Sequence, residues 1–162
     1  MTGKDRHSFD ILLNEEVLIP YPKEFRLLDE ARQEAEEILE ARLSKIEDEK
    51  ERNRVRAEGW KEMPRDGFNQ GGYEWCRKNW GTKWGFCDVE LAYDDGRLLE
   101  YKFQTAWSPP LPLIRKMGEV FSELTFDLRY FEGGIGFSGW FRIVNNEVVE
   151  DREAEYFGNR GG

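Results

Sequence analysis

The sequence predicts an α+β domain in which a mainly antiparallel sheet of four to five strands carries helices on one face and is preceded by a long amphipathic N-terminal helix. Three observations carry this expectation. Apolar residues recur every three or four positions between Phe25 and Ile46, the period of a helix with one buried stripe. Apolar and polar residues alternate from Cys87 to Trp107, the period of half-buried strands. A single helical segment then separates these strands from a second alternating set, and hairpin links with one helical crossover produce two layers.

Composition bounds the rest. A chain of 162 residues, 39% hydrophobic and 14% aromatic, can bury one good core. The expected organisation is an N-terminal arm and long charged helix over residues 1–66, the α+β domain over 67–157, and a flexible tail at 158–162. A net charge of -9 opposes nonspecific attraction to a phosphate backbone or an anionic lipid surface, so a protein partner is expected ahead of nucleic acid, and no membrane partner. No apolar run approaches the roughly 20 residues of a bilayer span, and Met1 to His7 lacks the apolar centre of a signal peptide. The expected location is the cytoplasm. Cys76 and Cys87 are too few for a disulfide scaffold and too far apart for a Cys-x-x-Cys motif, so both are expected reduced and mostly buried.

In chain order, Asp10 to Tyr21 is an apolar arm ending at Pro20-Tyr21-Pro22, extended because residues before proline avoid the helical region. The helix from Phe25 places Leu28, Ala31, Ala35, Leu39, Leu43 and Ile46 on one stripe. From Glu47 to Arg56 strong helix formers and opposite charges at spacings of three and four continue as a solvated helix. A loop follows at Met63–Gly67 and Asn69–Gly72. Tyr73 to Trp80 forms a short helix with Tyr73, Cys76 and Trp80 on one face, Trp75 and Asn79 on another, and Gly81 at its end.

Two strands follow, joined by Asp94-Asp95-Gly96 as a three-residue hairpin loop. Such an odd loop sets Leu91, Tyr93, Leu99, Tyr101 and Phe103 on one buried face. Ser108-Pro109-Pro110-Leu111-Pro112 opens a helix through Leu113, Ile114, Met117, Val120 and Phe121. Strands are expected at Thr125–Phe131 and Phe137–Val144, with a turn at Asn145-Asn146, a weaker strand at Glu147–Glu150, and a frayed acidic end from Asp151.

Several strings carry a resemblance: Phe9-Asp10 through Ile19-Pro20-Tyr21-Pro22-Lys23-Glu24-Phe25, Gly72-Tyr73-Glu74-Trp75-Cys76, Asn79-Trp80-Gly81-Thr82-Lys83-Trp84, Thr105-Ala106-Trp107-Ser108-Pro109-Pro110, and Phe131-Glu132-x-Gly134-x-Gly136-Phe137. With them the chain resembles the YubB-type ferredoxin-like domain family, small phage, prophage and conjugative-plasmid proteins of unknown function. The resemblance covers most of the chain and implies a ferredoxin-like α+β fold. Many members carry a strand before the Phe9-Asp10 segment that this sequence lacks. The family supplies no catalytic residue to carry over.

The residues themselves exclude several chemistries. His7 is the sole histidine and lies in a polar terminus, which leaves neither a base for a nucleophile relay nor a zinc cluster. Asp94 with Asp95 and Asp88 with Glu90 are explained by turn and outward strand positions. Gly133-Gly134-Ile135-Gly136 joins strand to strand and does not open a helix as a phosphate loop does. No enzyme activity, metal or cofactor is expected. Of the tryptophans, Trp80 and Trp107 are expected in the core. Trp75, Asn79, Lys83 and Trp84 form the candidate binding set, since tryptophan is enriched at interaction hot spots.

Two functions fit. The first is a noncatalytic interaction protein of a mobile element that binds a host or phage protein, inhibiting a defence or replication factor. The second is a nucleic-acid-binding module with Trp140 on the outward strand face. The second requires a basic stripe, and only Arg77, Lys78 and Lys83 lie close in sequence.

Overall fold

The computed structural model describes residues 13–158. His7, the Phe9-Asp10 segment, Ile11 and Leu12 of the expected arm, and residues 159–162 of the expected tail lie outside the described residues. The elements are α1 (Glu15–Leu18), α2 (Lys23–Leu43), α3 (Glu49–Glu62), a 3-10 turn (Phe68–Gln70), α4 (Gly72–Asn79), β1 (Cys87–Asp94), β2 (Leu99–Gln104), α5 (Leu111–Val120), β3 (Phe126–Glu132), β4 (Phe137–Val144) and β5 (Glu147–Glu155). They divide into two compact units, residues 21–73 and residues 13–20 together with 74–158.

In the 21–73 unit the charged run does not prolong α2. The chain leaves the helix after Leu43 and re-enters one at Asp48, whose carboxylate accepts from the Glu51 N–H at 2.7 Å and caps α3. Arg52 turns back along the link and donates through Nε and Nη2 to the Ile46 carbonyl at 3.0 and 2.6 Å, satisfying an acceptor beyond the end of α2. Val55 is buried with Leu39 and Leu43, and Ile46 and Met63 pack on this cluster. The second helix is therefore not solvated all round: Val55 packs on the apolar stripe of its neighbour, Gly59 lets Leu39 approach its backbone, and the Arg32 guanidinium lies 4.8 Å over the Trp60 ring. Asp29 ties down the following loop, accepting from the Phe68 N–H at 2.9 Å and the Tyr21 hydroxyl at 3.1 Å.

The strands of the other unit form two sheets, where the sequence predicts one. β3, β4 and β5 make a three-stranded antiparallel sheet, and among the described residues β1 pairs only with β2. α5 packs on β3 and β4, and Leu113, Ile114, Met117, Leu128, Phe141 and Ile143 are buried there. This is the expected helix-on-sheet layering, restricted to the larger sheet. β5 continues to Glu155, so residues 151–155 are strand and not a frayed end. The ladder to β4 holds them, since main-chain groups pair whatever the side chains are. Beyond the strand, the Tyr156 N–H donates to the Gly136 carbonyl at 2.8 Å.

The β1–β2 hairpin departs from the expected register. Its link is Asp95–Leu98, an even loop, because Asp95 Oδ1 accepts from the N–H groups of Arg97 at 2.9 Å and Leu98 at 2.7 Å and so builds a longer turn than the sequence reading allows. Two irregularities in β1, between Cys87 and Glu90 and between Leu91 and Tyr93, leave Leu91 opposite Tyr101 but Tyr93 opposite Glu100. Each extra residue reverses which side chains face one way. β2 keeps Leu99, Tyr101 and Phe103 on a half-buried face, with Phe103 edge-on to Phe86 at 5.0 Å. Leu91 and Tyr93 are both 47% exposed, contrary to the buried face expected for them.

Candidate interaction site

The site is assembled at the open end of the β1–β2 hairpin, where Cys87 pairs with Gln104, α4 delivers the chain to β1 and β2 passes it to α5. It begins with the arm. Asn14 caps α1 by accepting from the Glu16 and Val17 N–H groups at 3.1 and 3.3 Å, and this short turn buries Leu18 and orients the Ile19 carbonyl. That carbonyl accepts from the Trp80 indole N–H at 2.8 Å. Trp80 is 6% exposed and Cys76 is buried beside it on α4, as the helical spacing predicts.

Gly81 follows at φ +82°, and a Cβ there would lie 2.5 Å from Pro112 Cδ. Both the sign of φ and the closeness of Pro112 require glycine. Two hydroxyl bonds then join the strand-entry and helix-entry loops. The Ser108 hydroxyl donates to the Gly81 carbonyl at 2.6 Å, and the fully buried Thr82 hydroxyl to the Ala106 carbonyl at 2.9 Å. Thr105 closes the turn by donating to the Ser108 carbonyl at 2.9 Å. The two strings Asn79–Thr82 and Thr105–Pro110, distant in sequence, are therefore one hydrogen-bonded unit.

This unit displays Trp107. Its backbone sits at φ +67°, in the left-handed region that side-chain-bearing residues rarely adopt, and its ring is 67% exposed. The sequence reading that places Trp107 in the core is overturned. Strand alternation ends at Gln104, and the turn made by Thr105 and Ser108 redirects the chain before Trp107 can continue the pattern. Thr-Ala-Trp-Ser-Pro-Pro was the available signal, since hydroxyl residues beside prolines mark a turn.

The four candidate residues occupy two settings. Trp75 is half-buried and edge-on to Trp80 at 5.5 Å, so the two rings pack together. Asn79 is half-buried and its amide donates to the Trp75 carbonyl at 2.8 Å. Lys83 Nζ lies 4.8 Å over the Trp84 ring, which is 44% exposed, a cation–π pair directly beyond Thr82. Lys83 and Trp84 thus follow Thr82 directly in sequence, as Trp107 follows Ala106, the two residues joined by the Thr82 hydroxyl bond.

Among the described residues no group of three or more His, Cys, Asp or Glu is placed to hold a metal ion, and no helix is long and apolar enough to cross a membrane. Cys76 and Cys87 are free thiols, the first buried and the second half-buried.

Residues 79–158, just under half of the chain, match the family described as the ferredoxin-like domain in Api92-like protein. No curated protein and no solved structure shows significant similarity to the chain. With its helix-on-sheet layering and antiparallel strands, the matched segment is a ferredoxin-like α+β domain.

Proposed function

We propose that this is a noncatalytic interaction protein of a phage or other mobile element, of the YubB type, that works in the host cytoplasm by binding a host or phage protein and inhibiting a defence or replication factor. The observation that carries the reading is Trp107, an exposed tryptophan held at a strained φ by the Gly81–Ser108 and Thr82–Ala106 bonds. Strained, over-determined backbone concentrates at functional sites, and exposed tryptophan is the residue type most enriched at interaction hot spots. Trp84, also exposed and packed under Lys83, follows Thr82 in the loop that is hydrogen-bonded to the loop of Trp107.

The experiment is quantitative capture from host cells carrying the element, with the intact chain and its Trp107→Gly and Trp84→Ala variants as baits. A protein captured by the intact chain is expected to be lost or reduced at least tenfold on Trp107→Gly, about 1.4 kcal/mol or more of binding. Capture of the same proteins in the same amounts by all three baits would remove the tryptophan surface as the binding site.

A further inference from the structure

We infer that the outer face of the β3–β4–β5 sheet is a binding site for single-stranded nucleic acid, beyond the protein partner proposed above and on different residues. α5 covers one face of this sheet. On the other face, strand register sets Arg129, Trp140 and Arg152 directly opposite one another across the three strands. Residues opposite on neighbouring strands share a face, as do residues two apart on one strand, so Phe131 and Arg142 belong to the same surface.

Alternation sorts the charge on β5. Asp151, Glu153 and Glu155 stand opposite Phe141, Gly139 and Phe137, on the side that α5 covers, leaving Arg152 and Ala154 outside. Among the described residues three arginines thus meet on one face with three carboxylates, Asp127, Glu150 and, at the Val144 end, Glu147, so in a chain of net charge -9 this face carries no net negative charge.

Asp127 organises the centre. Its Oδ2 accepts from the Trp140 indole N–H at 3.0 Å, and its Oδ1 from Arg129 Nε at 3.1 Å. The Arg129 guanidinium lies over the Trp140 ring, 4.1 Å from its centroid, so it stacks on the ring and covers that face of it. Arg152 is paired with Glu150. Arg142 Nε is buried, 3.9 Å from Asp127 Oδ2, and has no hydrogen-bond partner among the described residues. Beside Arg129, Phe131 is 65% exposed and stacks on Tyr156 at 4.8 Å with 21° between the rings.

Two flat stacking surfaces beside arginines match what a single strand presents. Bases stack on aromatic rings and guanidinium planes whatever their sequence, and phosphates take charge-assisted bonds from arginine. An acidic protein would use the arginines but would leave the ring pairs idle.

The test is fluorescence anisotropy of labelled oligouridine and oligothymidine of about 12 nucleotides, within the span of one such binding fold, titrated with the full chain at about 50 mM salt. Saturable binding is expected, weakened at least tenfold by Arg152→Glu and by Phe131→Ala, an exposed position whose change spares the core. Arg152→Ala should reduce the slope of log affinity against log salt by about one. Equal binding by the variants, no saturation up to about 100 µM protein, the weak end of nonspecific binding, or displacement by polyglutamate of matched charge would each overturn the assignment. The last outcome would mean that the face takes acidic protein.

Discussion

Trp107 is strained by its backbone and is not compensated by burial, since its φ is +67° and its ring is 67% exposed. Replacing it with glycine removes strain worth about 1 to 3 kcal/mol and returns somewhat less than 1 kcal/mol to the unfolded chain as entropy. Trp107→Gly is therefore expected to raise the melting temperature by a few degrees, and a fall would show that the ring packs on the fold. Asp95 makes a second residue-scale prediction. Its carboxyl is held below the ordinary carboxylate range by the N–H groups of Leu98 and Arg97, opposed by slight desolvation and helped by the Tyr93 hydroxyl. A depressed folded pKa stabilises above the unfolded value and is lost as pH falls through the folded one, so this turn contributes at neutral pH and fails in acid. Stability measured from pH 7 down to pH 2 should lose a shallow component below about pH 4, and Asp95→Ala should lack it. Trp80 was legible from three- and four-residue spacing because it directly follows α4, its N–H still donating to the Cys76 carbonyl at 2.8 Å, so helical spacing still determines its facing. Trp107 was not, because a turn lies between it and the strand whose parity suggested burial.

The helix and strand periods marked α2, α5, β2, β3 and β4 in the sequence, but not how strands assort into sheets. Partition depends on loop length and on extra residues, and Asp95 with the two irregularities of β1 altered both. The arginine row was hidden for the same reason: Arg129, Trp140 and Arg152 become neighbours only through register. The end of β5 was missed because its side chains are polar, while the ladder that holds it is main chain. On α4, spacing separated Trp75 from Trp80, whereas the rings meet edge-on at 5.5 Å, so the two faces assigned by spacing are in contact. Trp80→Ala is expected to cost about 3 to 5 kcal/mol as a buried aromatic that also donates to Ile19. Trp75→Ala should cost about 0.5 to 1.5 kcal/mol for the ring pair plus its partial burial, and thermal melts of the two variants will order them. An unchanged melt for Trp75→Ala would return that ring to the list of free binding surfaces.

At the scale of the whole chain, the segment that matches the ferredoxin-like family begins at residue 79, yet the unit it belongs to also includes residues 13–20. The arm contributes the buried Leu18 and the Ile19 carbonyl that accepts from Trp80, and Glu15 accepts from the Phe86 N–H at 3.5 Å. The 21–73 unit is thus inserted between two parts of one core. Burying a leucine contributes about 1.5 to 3 kcal/mol and a satisfied indole N–H about 1 kcal/mol, a large share of the stability of a small domain. A fragment of residues 74–158 is accordingly expected to lose protection in the β3–β4–β5 amides by hydrogen exchange, a readout confined to this unit. In the full chain, Leu18→Ala should weaken the same amides by about 2 to 5 kcal/mol, although Leu18 lies more than 100 residues before β3. The 21–73 unit has its own cluster of Leu39, Leu43 and Val55, so Val55→Ala serves as the contrasting variant and should leave those amides protected. Equal protection in the fragment and the full chain would show that the arm only lies against a domain already complete at residue 74.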